Sequence, residues 1–152
     1  DLLPEYNGAL LSALAPGGAP AGVSKPDDVL AALKKVLPAG TEVLAGLELG
    51  GVPVATALSL ATGLPAAFVR KEAKKYGTAK LAEGAEIAGR RVLIVEDIVT
   101  TGGQVVLSAR DLRERGANLV GALCVIDRSD GAHQLAGEDL ELISLFTAAD
   151  LG

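Results

Sequence analysis

Three segments, "TEVLAGLEL" (Thr41–Leu49), "RRVLIVED" (Arg90–Asp97) and "NLVGALCVIDR" (Asn118–Arg128), hold nearly continuous apolar runs instead of an apolar/polar alternation. A strand with one wet face alternates with period two, so a continuous run needs cover on both faces. Helical patterns lie between them. "GGVPVATALSLATG" (residues 50–63) reads as a loop and helix, and "GGQVVLSARDLRERG" (residues 102–116) as a helix closed by Gly116. "SKPDDVLAALKKVLP" (residues 24–38) reads as a helix with Ser24 as N-cap, acids at its start and lysines near its end, as the helix dipole favours. "PAAFVRK" and "LELISLF" add further strands. The pattern predicts an α/β fold: a mainly parallel, twisted sheet with helices on both faces. With hydrophobic residues at 49% but aromatics at 3%, and no Trp or Met, the core is to be built from Ala, Val, Leu and Ile.

A chain of 152 residues predicts one domain. "DLLPEYNGALLSALA" carries a weak helical pattern and "PGGAPAGVSKP" reads as loop, so residues 1–38 form an N-terminal segment and residues 39–152 the core. Residues 72–89 are polar and Gly/Ala-rich without a period, which predicts a long loop of the kind that serves as a lid. The net charge of −5 argues against a nucleic-acid footprint, so any anion site is local. The single cysteine, Cys124, excludes an internal disulfide and fits a reducing compartment. No run is long enough to span a membrane and no leader pattern opens the chain, which predicts a soluble cytoplasmic protein. His133, the lone histidine, reads as loop surface and a weak metal signal.

In open α/β sheets ligands bind at the carboxyl ends of strands. There the sequence sets the carboxylates Glu96 and Asp97, then Thr100, Thr101, Gly102 and Gly103 before a helix. Paired carboxylates accept hydrogen bonds from vicinal hydroxyls or help to hold a divalent cation. Glycine amides, threonine hydroxyls and a helix N-terminus suit a phosphate. Together they suit a ribose 5′-phosphate. The plainer alternative is a strand with solvated acids and a turn with an N-capping threonine. No P-loop and no G-x-G-x-x-G occurs in the chain.

The stretch "VLIVEDIVTTGGQ" (Val92–Gln104) resembles the phosphoribosyl-pyrophosphate (PRPP) signature of type I phosphoribosyltransferases. The resemblance implies that Glu96 and Asp97 bind ribose hydroxyls directly or through magnesium, and that Ile98, Val99, Thr100, Thr101, Gly102, Gly103 and Gln104 complete the PRPP site. "LAGLELGGVP" (residues 44–53) is similar to the family's pyrophosphate loop, placing Glu48, Leu49, Gly50 and Gly51 against the diphosphate. Some relatives carry Lys at Gly50, so contact here would run through the backbone; a simple connecting turn is the alternative. "FVRKEAKKYG" (residues 68–77) resembles the loop of orotate phosphoribosyltransferases, with Arg70, Lys71 and Lys74 at the basic positions and Tyr76 where His is usual. Five of the 14 basic residues lie between Arg70 and Lys80. Such a run in an acidic chain is either a solvated loop or an anion clamp.

In that family the loop closes over the neighbouring subunit's site and its Lys steadies charge on the leaving pyrophosphate, so Lys74 and Asp97 would be the catalytic pair. Arg128, ending "CVIDR", matches the Arg that binds orotate, with Thr100 beside it; the alternative is a surface Arg paired with Asp127 or Asp130. The resemblance implies Mg2+-dependent transfer of phosphoribose from PRPP to orotate, giving orotidine 5′-phosphate and pyrophosphate in pyrimidine nucleotide biosynthesis. It further implies a homodimer with shared active sites and no nucleic-acid or membrane partner. Magnesium would arrive with PRPP, with Glu96 or Asp97 as its protein contact. Residues 1–38 lack the hood pattern F-x-L-x-S-G-x-x-S-x-x-Y usual in orotate enzymes, which implies a reduced or incomplete hood. The alternatives are a phosphoribosyltransferase for another base and a non-catalytic PRPP-binding regulator. The basic residues Arg70, Lys71 and Lys74 argue against the latter.

Overall fold

The computed structural model describes residues 26–70 and 82–149. Ser24, the N-terminal stretch and the residues from Lys71 to Leu81 lie outside them. Helix α1 (Pro26–Val36) carries Asp27 and Asp28 in its first turn and Lys34 and Lys35 in its last, and its buried Val29 and Leu33 lie four residues apart on one face. Strand β1 (Val43–Leu47) is buried throughout. Helix α2 (Gly51–Thr62) follows and ends at Gly63, whose φ of 78° lets its N–H reach the Ser59 carbonyl. Then come β2 (Ala66–Val69), β3 (Ala82–Gly84) and β4 (Arg91–Val99). Helix α3 (Gly103–Glu114), β5 (Asn118–Asp127), a 3-10 turn at Gln134–Glu138 and β6 (Leu142–Thr147) complete the described chain.

The strands form one sheet in the order β3-β2-β1-β4-β5-β6, parallel except for β3. Val105, Ala109 and Leu112 of α3 join Val92 and Ile94 in a core cluster on one side, while Val29, Leu33, Val54 and Leu58 of α1 and α2 join Leu93 and Val95 in the other. The continuous apolar strands are therefore continuous because both faces are covered, as the sequence predicts.

Two expectations need correction. The long loop predicted over residues 72–89 contains β3, which pairs with β2 through Ala67–Gly84, Phe68–Glu83 and Val69–Ala82. The acid pair does not end its strand, because β4 runs on through Ile98 and Val99. Both of these are apolar, and Val99 still pairs with Asp127 of β5. By contrast, pairing of β1 with β4 ends at Gly46–Val95. The last residues of β4 thus project past the end of β1.

Candidate active site

The sheet order reverses between β1 and β4: the chain proceeds outward to β2 from one and to β5 from the other. A crevice opens at such a switch point, outside the carboxyl ends, because successive connections leave in opposite directions. The turn after β1 and the overhanging end of β4 form its walls.

The turn is built close to β4 by glycine. A Cβ on Gly51 would collide with the Val95 carbonyl, and one on Gly50 would collide with the Asp97 carboxylate. Gly46 is confined as well, with a Cβ there 2.8 Å from the Gly51 carbonyl oxygen. Small residues at these positions bring the backbone of the turn up to the acid pair. The Glu48 N–H donates to the Val69 carbonyl at 2.8 Å, tying the turn to β2, and the Glu48–Leu49 peptide is cis. Leu49 points outward and is 75% exposed.

On the opposite wall the Ile98 N–H donates to Asp97 Oδ1 at 2.7 Å and the Asp97 N–H to Glu96 Oε1 at 3.1 Å. These local bonds orient the two carboxylates. Val99 is buried and its carbonyl accepts the Arg128 N–H at 2.8 Å, and Ile98 packs against the α1/α2-side cluster. The side chains of both residues face the protein. Thr100 and Thr101 are exposed, and Thr101 Oγ1 accepts the Gly103 N–H at 3.3 Å. Gly102 precedes α3 at φ 82° and caps it without a side-chain hydrogen bond. The first amides of α3 therefore face outward at the positive end of the helix dipole.

At the end of β5 the Asp127 carboxylate accepts the Ser129 N–H and hydroxyl, not the Arg128 guanidinium. Arg128 is exposed and forms no ion pair among the described residues, so its donors are available at the edge next to the acid pair. Arg70, at the end of β2, is held by Glu83 of β3 at 2.5 Å and lies 4.0 Å from Glu48. It joins β3 to the turn after β1. Lys71, Lys74 and Tyr76 lie outside the described residues. Among the described residues no group of three metal-ligating side chains occurs, so a cation here would need a ligand's own oxygens beside Glu96 or Asp97.

Burial, with the negative charge of Asp127, Glu96 and Asp97, pushes the Cys124 thiol up to about 12. It is therefore a neutral thiol at pH 7, unsuited to nucleophilic attack.

One supporting element is not evident from sequence. The segment after Arg128 returns behind the phosphate-type turn, where the Gln134 N–H donates to the Thr101 carbonyl at 3.0 Å and buried Leu135 fills the space a Gly102 side chain would need. Glu138 then pins this strap to α3 through Arg110 and Arg113. His133, predicted as loop surface, is half-buried in the strap. Leu135, the one large apolar residue between Arg128 and Asp139, is the trace of this in the sequence.

Residues 28–145 match the phosphoribosyl transferase domain family, to which the chain belongs. Among its relatives, an orotate phosphoribosyltransferase of Nocardioides sp. is 55% identical over 117 residues, covering 76% of this chain and 65% of that protein. One from Pyrococcus abyssi is 49% identical over 109 residues, covering 71% and 60%. The chain thus spans just under two thirds of these relatives. The crystal structure of Mycobacterium tuberculosis orotate phosphoribosyltransferase in complex with PRPP superposes with a TM-score of 0.68 at 34% identity, covering 82% of this chain and 74% of that one. No helix among the described residues is long and apolar enough to cross a membrane.

Proposed function

We propose that this chain is the catalytic core of an orotate phosphoribosyltransferase, transferring the phosphoribosyl group of PRPP to orotate with release of pyrophosphate, in pyrimidine nucleotide synthesis. The observation that carries the reading is the approach of the Gly50–Gly51 turn to the Asp97 carboxylate, with the Thr100–Gln104 turn on the same edge. That arrangement offers backbone amides to a diphosphate, carboxylates to ribose hydroxyls and a helix start to a 5′-phosphate. The names of the relatives at 49–55% identity support orotate as the base.

In this reading Arg128 supplies a guanidinium fork for the orotate carboxylate, with Thr100 at its side. Arg70, Lys71 and Lys74 neutralise the departing pyrophosphate, and Tyr76 contributes to the same loop. Catalysis is positioning and charge stabilisation: the base nitrogen is held against the anomeric carbon while negative charge on the leaving group is met by fixed donors. No covalent enzyme intermediate is required, in keeping with the neutral Cys124. Glu96 or Asp97 would help to hold magnesium alongside PRPP, and the ion would supply further charge neutralisation. The working unit is a cytoplasmic homodimer in which Lys74 serves the partner's site.

The test is turnover of a panel of bases with PRPP and magnesium, using the full-length protein. Loss of orotate absorbance, faster than that of uracil, adenine or hypoxanthine, is expected. Turnover of another base and none of orotate would overturn the substrate assignment.

A further inference from the structure

Among the described residues, His133 Nδ1 is the buried side-chain nitrogen or oxygen that has no hydrogen-bond partner. Buried polar atoms are nearly always paired, so an orphan in a firmly held segment points to a partner that arrives in another state. The segment is held on three sides. Gln134 is bonded to the Thr101 carbonyl, Leu135 is fully buried behind Gly102, and Glu138 is clamped by Arg110 and Arg113. These contacts fix the backbone on the C-terminal side of His133. The His133 Cβ lies 3.5 Å from where a Gly102 Cβ would stand, which sets the base of the side chain beside the turn that opens α3.

The same turn contains a hydrogen bond that a ligand would displace. Thr101 Oγ1 accepts the Gly103 N–H at 3.3 Å, at the long end of the usual range. A phosphomonoester filling the turn competes for the Gly103 N–H and so lets the Thr101 hydroxyl re-orient its O–H, while the Thr101 carbonyl is already bonded to the residue after His133. We propose that His133 is a positioning residue of this turn, its buried Nδ1 accepting a hydrogen bond from the Thr101 hydroxyl when a phosphomonoester is bound. The inference rests on the phosphate reading above and adds a residue to it. Its consequence is that His133 stabilises the loaded turn relative to the empty one and so contributes to PRPP affinity, without touching the reacting atoms.

The lone histidine of the sequence makes the test direct, because its ring nitrogens give one set of 15N resonances. Ribose 5-phosphate is titrated into the full protein while the amides of residues 102–104 and the His133 ring are followed together. The expected result is that both shift, that Thr101→Val abolishes the ring shift at saturating ligand, and that His133→Ala raises the PRPP KM about fivefold at nearly constant kcat, as loss of one neutral hydrogen bond implies. His133→Asn, whose amide can stand in for Nδ1, is expected to restore much of the affinity. Amide shifts with an unmoved His133 ring would overturn the inference alone. A ring shift that survives in Thr101→Val would overturn the assigned partner. If neither amides nor ring respond, the phosphate reading falls and the inference with it.

Discussion

Replacing Gly50 with alanine is expected to damage activity out of proportion to stability. Gly50 has φ −66° and ψ −29°, which alanine adopts without strain, so the perturbation is steric and local. The new methyl would occupy the place of the Asp97 carboxylate. Either the turn after β1 moves away, or Asp97 gives up its 2.7 Å bond from the Ile98 N–H. Losing a hydrogen bond to a charged group costs about 1.5–3 kcal/mol, equivalent to roughly ten- to a hundredfold in kcat/KM if that carboxylate holds the sugar. The assay is orotate turnover at varied PRPP, beside thermal unfolding. A double-mutant cycle with Asp97→Asn supplies the control. Both substitutions act on one carboxylate, so their costs should fall well short of additive. Wild-type kcat/KM for Gly50→Ala, or fully additive losses, would refute the idea that the turn and the acid pair form one site.

The remaining predictions concern single groups. Asp97→Asn alone should lower kcat/KM for PRPP by about ten- to a hundredfold while leaving the melting temperature nearly unchanged. Lys74→Ala and Asp97→Asn, each strongly impaired alone, should together recover about a quarter of wild-type activity when unfolded and refolded as a mixture, because random pairing makes half the dimers mixed, each with one intact site; no recovery above the two controls among exchanging dimers would place the loop in its own subunit's site. Cys124 should resist a thiol reagent at pH 8 until the protein is unfolded, since burial and the nearby acids keep it protonated. The hydrogen bond from Arg110 holds Glu138 below its ordinary value of 4.5. A lowered carboxyl pKa stabilises the fold above the unfolded value and loses that contribution as pH falls through the folded one. The stability difference between wild type and Glu138→Gln should therefore be present at neutral pH and vanish in acid below 4.5.

The sheet was legible in the sequence because burial on both faces writes itself as continuous apolar runs, as in Val92–Val95 and Ala122–Ile126. The missed strand shows the limit of that signal. In β3, Glu83 and Gly84 are exposed, and the strand is held by backbone pairing to β2 and by the Arg70–Glu83 ion pair, neither of which leaves an apolar pattern. The end of β4 was misjudged for a related reason: Glu96 and Asp97 interrupt the apolar run, yet ladder bonds to β5 continue beyond them. Within the site, residue types at the strand ends were readable from sequence. The fit between Gly50 and Asp97 was not, since it joins a turn and a strand that only the strand order brings together. Nor was the support of the Thr101 turn by Gln134 and Leu135, which depends on a loop returning behind α3.

The proposed function requires that a phosphoribosyl ligand bind in the crevice between β1 and β4. It is tested most directly by mapping the backbone amides that respond when PRPP and magnesium are added to the full-length protein. Shifts are expected at residues 48–51, at residues 96–104 and near Arg128, with none at the opposite edge, where Glu42 pairs with Arg91. Saturable PRPP binding with those carboxyl-end amides unmoved would contradict it.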